Sequence, residues 1–201
     1  MALTLDYYLS LNSPWSFLGG ARLHALARRF DVQVTVMPID AGKVFPVSGG
    51  VPVPKRAPQR QAYRLLELDR WRKFLDVPLI LEPQNFPSSE AGPARLVVAA
   101  GMLGHDALAL ANAFGHAIWV DDRNFAEEAV QRDVLASVGL DFAAVHSAAE
   151  SEEVSTLLVS HTDQAIAQQI FGMPSYVFDG ELFWGQDRLD FLERAMDSYT
   201  P

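Results

Sequence analysis

Short apolar runs and strict alternation mark the two ends of the chain, whereas its middle repeats apolar residues at helical spacing. Leu3 to Leu9 is aliphatic and aromatic and is bounded by Ser-Leu-Asn-Ser, which predicts a strand. Ser13-Pro14-Trp15-Ser16 then opens a helix. Ser13 can cap it, and Pro14 suits its first position, where the missing N–H would have no partner anyway. Phe17, Leu18, Ala21, Leu23, Ala25 and Leu26 carry this helix to Phe30. Val32 to Met37 alternates and stops at Pro38, a second strand. Strand, helix and strand in so short a stretch predict a βαβ unit with a right-handed crossover.

The middle reads differently. Ala41 to Pro58 carries Pro46, Pro52, Pro54 and Pro58 among three glycines and is expected to be a loop. Gln59 to Leu75 is helical, with Tyr63, Leu66, Arg70, Trp71 and Phe74 read as a packing stripe. Leu79 to Pro93 is irregular. Ala94 to Leu103, Asp106 to Trp119, Phe125 to Val138 and Phe142 to Glu150 read as helices, and no strand is expected among them.

The end returns to α/β. Val154 to Phe171 predicts one or two helical pieces, with Thr162 a candidate cap for the second. Ser175 to Phe178, the Asp179-Gly180 turn and Glu181 to Trp184 form a hairpin, and Arg188 to Ser198 is the last helix. The two ends together spell β-α-β-α-β-β-α. The expected architecture is an α/β, thioredoxin-like fold with a large all-helical insertion. Residues 1–42 and 155–201 form its discontinuous thioredoxin-like domain, and 43–154 form the insertion.

Composition narrows the chemistry. With 201 residues, 49% of them hydrophobic, the chain is long enough for one domain or a domain with an insertion. A net charge of −9 repels phosphate backbones and argues against a nucleic-acid partner. No apolar run approaches the roughly 18 residues of a membrane span. Met1 to Asp6 lacks a basic region followed by an apolar stretch, so a cytoplasmic location is expected. The chain contains no cysteine. Disulfides, thiolate metal sites, a cysteine nucleophile and a Cys-x-x-Cys pair are excluded, and disulfide exchange with them.

Three places carry candidate chemistry. Thioredoxin-like redox proteins place Cys-x-x-Cys after the first strand of such a βαβ, at a helix N-terminus that favours a thiolate. Both cysteine positions are serine in this chain, Ser13 and Ser16. Ser13 is either a cap alone or part of a thiol site. In Phe171-Gly-Met-Pro174, Pro174 precedes a strand that should be central and cannot donate to its ladder. It is either an ordinary trans turn or a cis-proline. Its pairing with Ser13 in this topology favours cis, which would present the backbone of Met173 to an extended peptide. In Trp184-Gly-Gln-Asp-Arg188, a helix starts directly after a glycine and can take a carboxylate on its N–H groups. Asp187 either caps that helix or accepts from an ammonium group. The five histidines have no metal-ligand spacing and are read as surface or helix residues, so no metal is expected. Asp121-Asp122 is read as a solvated cap, and Gly49-Gly50 lacks the lysine and hydroxyl of a phosphate loop.

Asn12-Ser-Pro-Trp-Ser16, Glu67-Leu-Asp-Arg-Trp71, Phe171-Gly-Met-Pro174 and Asp179-Gly-Glu-Leu-Phe-Trp-Gly-Gln-Asp-Arg188 together resemble the DsbA-like, kappa-class glutathione transferase family, and within it the 2-hydroxychromene-2-carboxylate isomerases. The resemblance covers essentially the whole chain. It implies a homodimer that uses glutathione as cofactor. By that resemblance Ser13 holds the glutathione thiolate and is the catalytic residue, and Met173, beside Pro174, pairs its backbone with the cysteinyl unit. Trp184, Gln186 and Asp187 hold the γ-glutamyl end. Gln186 stands where Asn is common in the family. The implied reaction interconverts a hydroxychromene carboxylate and a trans-hydroxybenzylidene pyruvate in naphthalene-type catabolism. Reversible thiolate addition would turn a double bond into a rotatable single bond. A glutathione transferase that releases a conjugate, or a non-catalytic thioredoxin-like binding module, are the alternatives. Val47 to Pro58 and Phe86 to Gly92 depart from the family and are read as lining the pocket of the acidic aromatic substrate. Lys43, Phe86 and Arg95 are the candidate substrate-binding residues.

The residues support a bound thiol independently of that resemblance. With no protein sulfur at a thioredoxin-type site, a ligand would have to bring it. A free thiol of pKa about 8.5 is mostly protonated at neutral pH, and lowering that value by about two units takes roughly 2.7 kcal/mol of differential stabilisation. A hydroxyl donor and a helix N-terminus are the available sources.

Overall fold

The computed structural model describes residues 3–199. β1 (Leu3–Leu9) runs parallel to β2 (Val32–Pro38), with Leu3 opposite Val32, and antiparallel to β3 (Ser175–Phe178), with Tyr7 opposite Tyr176. β4 (Glu181–Trp184) closes the hairpin through Asp179-Gly180, giving one sheet ordered β2-β1-β3-β4. That is the predicted thioredoxin order. β1 is central and accordingly buried, and its Tyr7 ring stacks on its cross-strand neighbour Tyr176 at 5.3 Å between centroids.

α1 (Pro14–Phe30) starts where Ser13 and Pro14 predict, and ends at Asp31 in the left-handed region. Glycines let it approach its neighbours closely. A Cβ at Gly20 would fall on the Asn112 amide, and one at Gly19 would lie 2.9 Å from both Gln186 Cβ and the Tyr176 hydroxyl. The second of these contacts sets the loop after β4 directly against α1.

The helical block comprises α3 (Pro58–Phe74), α4 (Ala91–Met102), α5 (Ala107–Trp119), α6 (Glu128–Ser137) and α7 (Phe142–Ala149). It shares a core with the sheet: Leu5, Tyr7 and Leu18 belong to the same buried cluster as Leu96, Phe114 and Trp119. Among the described residues no helix is long and apolar enough to cross a membrane.

Four expectations are corrected. The stretch from Ala41 does not stay a loop; α2 (Ala41–Ser48) forms there. Asp40 caps it by accepting from the Gly42 N–H at 2.8 Å, Val44 is buried beneath it, and Gly49 closes it at φ 77°. Pro46 sits in its second half. Thr162 caps nothing. It lies inside one continuous helix, α8 (Glu152–Ala167), where its hydroxyl donates back to the Leu158 carbonyl at 3.3 Å and accepts from the Asp40 N–H. The stripe on α3 is displaced: Tyr63, Leu66 and Phe74 are each more than half exposed, and the inward face is Gln61, Arg64, Leu68 and Trp71. Asp122 is not a free solvated cap; it accepts from the Asn85 N–H at 3.0 Å and fastens the irregular segment before α4. α9 (Leu189–Ser198) completes the fold after a single 3-10 turn, Gln186–Arg188.

Candidate active site

The N-terminus of α1, the turn before β3 and the turn after β4 meet at one end of the sheet. They meet because β3 lies beside β1 and β4 beside β3, so the loops at the ends of these strands become neighbours. Ser13 is half-buried at the start of α1. Its Oγ accepts from the Ser16 N–H at 3.2 Å and donates to the Met173 carbonyl at 3.4 Å. The first turn of α1 holds no acidic residue, so the partial positive charge of the helix end is not neutralised there. The Met173-Pro174 peptide bond is cis, the option favoured by the sequence. The Pro174 carbonyl accepts from the Gly185 N–H at 2.9 Å, which holds the two turns side by side.

Trp184 is half exposed and packs edge-on against Phe171 at 4.7 Å between ring centroids. Gly172 passes directly under its indole, where a Cβ would lie 2.3 Å from Nε1. Gly185, at φ 105°, is the second glycine that the site requires, because the Asp187 carboxylate also leans over it. Asp187 makes no capping hydrogen bond to the 3-10 turn or to α9. Its carboxylate is exposed, 3.4 Å from the Arg188 guanidinium. Gln186 points the other way: it is buried, and its Oε1 accepts from Arg22 Nη1 at 3.1 Å. Ser13, Met173, Pro174, Trp184 and Asp187 therefore border one surface, while the Gln186 side chain braces that surface from within.

The predicted substrate residues separate. Phe86 lies two residues before Ser88, which pairs with Asn12, the chain neighbour of Ser13. Arg95 is engaged elsewhere, its guanidinium donating to Ser155 Oγ at 2.8 Å and to the Ser151 carbonyl at 3.2 Å, which ties α4 to the start of α8. Lys43 is exposed on the first turn of α2 and pairs with no carboxylate among the described residues.

A second layer, which the sequence did not reveal, holds the Phe86 segment against α1. Asn12 donates to the Ser88 carbonyl at 2.7 Å and accepts from the Ser88 N–H at 3.1 Å. Glu90, at the start of α4, accepts from Ser10 Oγ, from the Leu11 N–H and from Asn12 Nδ2 at 2.7, 2.7 and 2.8 Å. Burial raises the pKa of this carboxyl above the usual range, and the hydrogen bonds from Ser10, Leu11 and Asn12 oppose that shift. Phe86 packs on Trp119 at 5.0 Å between centroids, with the Arg64 guanidinium over both rings. The one available signal was Arg64 itself, four residues before the buried Leu68 on the same helix face.

A cleft of about 610 Å³ lies along the free edge of β2, lined by His24, Arg28, Met102, His105 and Asp106, and none of the predicted site residues borders it. His161, also lining it, is a buried residue of α8, and burial lowers its pKa. The Ser13 surface, by contrast, brings together a helix N-terminus, an exposed carboxylate that caps no helix and an aromatic wall. No group of three or more potential metal ligands occurs among the described residues.

Residues 4–197 match the family model described as a DSBA-like thioredoxin domain. The chain belongs to the DSBA-like thioredoxin domain family. Within this family it is similar to the 2-hydroxychromene-2-carboxylate isomerase of Sphingobium xenophagum, at 32% identity over 198 residues, 96% of this chain and 97% of that protein. The isomerase of the same name from Pseudomonas putida is 28% identical over 197 residues, 96% of this chain and 94% of that one. A solved 2-hydroxychromene-2-carboxylate isomerase superposes with a TM-score of 0.79 at 27% identity, covering 97% of this chain and 95% of the other. The cytosolic disulfide reductase DsbM of Pseudomonas aeruginosa, solved with GSH, shares the DSBA-like fold at TM-score 0.67 and 21% identity over 97% of this chain and 95% of its own.

Proposed function

We propose that this DSBA-like protein is a glutathione-dependent isomerase of a 2-hydroxychromene-2-carboxylate-type acid. The observation that carries the reading is the Ser13 hydroxyl at the N-terminus of α1, facing the Met173 backbone, in a chain that has no cysteine. The near full-length similarity to proteins named as such isomerases supports it.

The residues present fit a small peptide thiol. Met173 offers backbone groups to a cysteinyl unit. Asp187 offers a carboxylate that no cap occupies to an α-ammonium group, and Trp184 and Phe171 offer an aromatic wall. Glutathione, when bound, would supply the sulfur whose reversible addition turns the substrate double bond into a rotatable single bond. Ser13 would donate to that sulfur in place of the Met173 carbonyl, and the end of α1 would favour its ionised form. Both effects stabilise the thiolate more than the thiol, which is the condition for a rate effect.

The deciding experiment incubates the protein with 2-hydroxychromene-2-carboxylate and labelled glutathione. Interconversion with the label remaining in free glutathione is expected. Label in the product would make the protein a transferase. No turnover, together with no thermal shift in 10 mM glutathione, would make it a binding module.

A further inference from the structure

Arg64 is a cation with no carboxylate partner among the described residues. It lies on the inward face of α3, its guanidinium carbon 5.6 Å from the Phe86 ring centroid and 5.9 Å from that of Trp119. Its Nη2 is buried and has no hydrogen-bond partner, and none of the ion pairs among the described residues includes it. The charge it feels is that of Arg56, a second cation, which in turn feels Arg60. Arg64 thus faces a like charge rather than an opposite one, although the chain carries a net charge of −9. Burial and the repulsion from Arg56 both push the Arg64 pKa down. A buried donor without an acceptor and a cation without an anion each cost stability, and one bound carboxylate would relieve both.

The position of this cation is as informative as its charge. Phe86, under the guanidinium, is two residues from Ser88, and Ser88 is paired in both directions with Asn12, the neighbour of Ser13. The Trp119 indole N–H, behind Phe86, is also buried without a partner. The place therefore combines an aromatic shelf, a planar cation that no carboxylate neutralises among the described residues and the flank of the proposed thiol site. The other candidate cations are poorer anchors. Arg95 is already hydrogen-bonded to Ser155 and Ser151, and Lys43 stands in water, where a point charge is strongly screened.

We propose that Arg64 anchors the substrate carboxylate, its part-exposed guanidinium pairing with an aromatic acid whose ring lies against Phe86. This rests on the isomerase reading, and it names the group that would select an acid over a neutral analogue.

The test has two arms. In steady-state isomerisation at saturating glutathione, Arg64→Gln is expected to raise KM for 2-hydroxychromene-2-carboxylate about 10- to 100-fold, the range of a lost charge-assisted pair. The turnover number and the glutathione Kd should change little, and Arg64→Lys should recover part of the loss. In calorimetry, 2-hydroxycinnamate should bind the unaltered protein far more tightly than its amide does, and Arg64→Gln should remove that preference. A folded Arg64→Gln protein with unchanged KM and unchanged 2-hydroxycinnamate affinity overturns the proposal. So does equal binding of the acid and the amide by the unaltered protein, a result that needs no variant. Arg64-dependent binding of the acid without any isomerisation would uphold the anchor and overturn the isomerase reading instead.

Discussion

The Ser13 end of α1 and the Phe86 shelf are joined by the Asn12–Ser88 pair, yet they are built in opposite ways. The first is made of backbone ends and short motifs: a serine cap, the Met-Pro turn, and a glycine before a 3-10 turn. Its geometry follows from strand order. The second is made of side chains from α3, the segment before α4 and the end of α5, which meet only when those elements pack. The first region would supply the chemistry common to the fold, the second the choice of substrate. A fold can thus keep its reactive corner while the neighbouring wall changes, because the two are specified by different parts of the chain.

The sharpest way to test this division is to remove Asp187. Asp187→Ala should weaken glutathione binding about 10- to 100-fold, since a lost charged hydrogen bond is worth about 1.5–3 kcal/mol. Thermal stability should stay within about 0.5 kcal/mol, because the carboxylate caps no helix and its exposed contact with Arg188 contributes little. Unchanged affinity in calorimetry would remove Asp187 from the site. Arg64→Gln should do the reverse, affecting the acid and sparing glutathione.

Glu90 tests the bond between the two regions. Glu90→Gln keeps an acceptor for Ser10 and Asn12 but sets an amide N–H against that of Leu11, at a cost of about 1–3 kcal/mol in denaturant unfolding. The pH dependence follows from the raised pKa of this carboxyl. Between the unfolded and the raised folded value the native state holds more protons than the unfolded chain. The contribution of Glu90 is therefore full below the unfolded value and is lost as pH rises through the folded value. Glu90→Gln should abolish that component, and an unchanged pH profile would contradict the assignment.

Ser13→Ala is expected to affect stability less than Glu90→Gln. Loss of the cap should cost about 1 kcal/mol, read as a lowered unfolding midpoint. Bound glutathione should meanwhile titrate at higher pH by thiolate absorbance, because a donor to the ionised sulfur is gone. Identical titrations in the two proteins would leave Ser13 as a cap only.

How much of this was legible varies with the kind of interaction. Both strands of the hairpin, the start of α1 and most of the helical block follow from local pattern, since alternation, helical spacing and capping act within a few residues of chain. α2 was hidden because its prolines and glycines look like loop residues, while its cap, Asp40, lies outside that composition. The stripe on α3 differs from the spacing because Tyr63, Leu66 and Phe74 stay exposed while Arg64 turns inward beside Leu68, a choice that packing and not helical period makes. The absence of cysteine needed no structure at all: it excluded disulfide exchange and left a serine where the fold would otherwise put a thiol.

The sequence by itself determined the order of elements, the motifs at the start of α1 and around β3 and β4, and the exclusion of disulfide exchange by the protein's own thiols. Only the tertiary structure decided that Arg95 is hydrogen-bonded to Ser155 and Ser151, that Gln186 faces inward, that Arg64 lies over Phe86 and that Glu90 ties down Ser10 to Asn12. The physical reason is range. Propensities and caps depend on neighbours along the chain, whereas the partner of a buried charge comes from wherever packing brings one. No local pattern encodes that Asn12 will meet Ser88, or that the Arg64 guanidinium will be left without an acceptor.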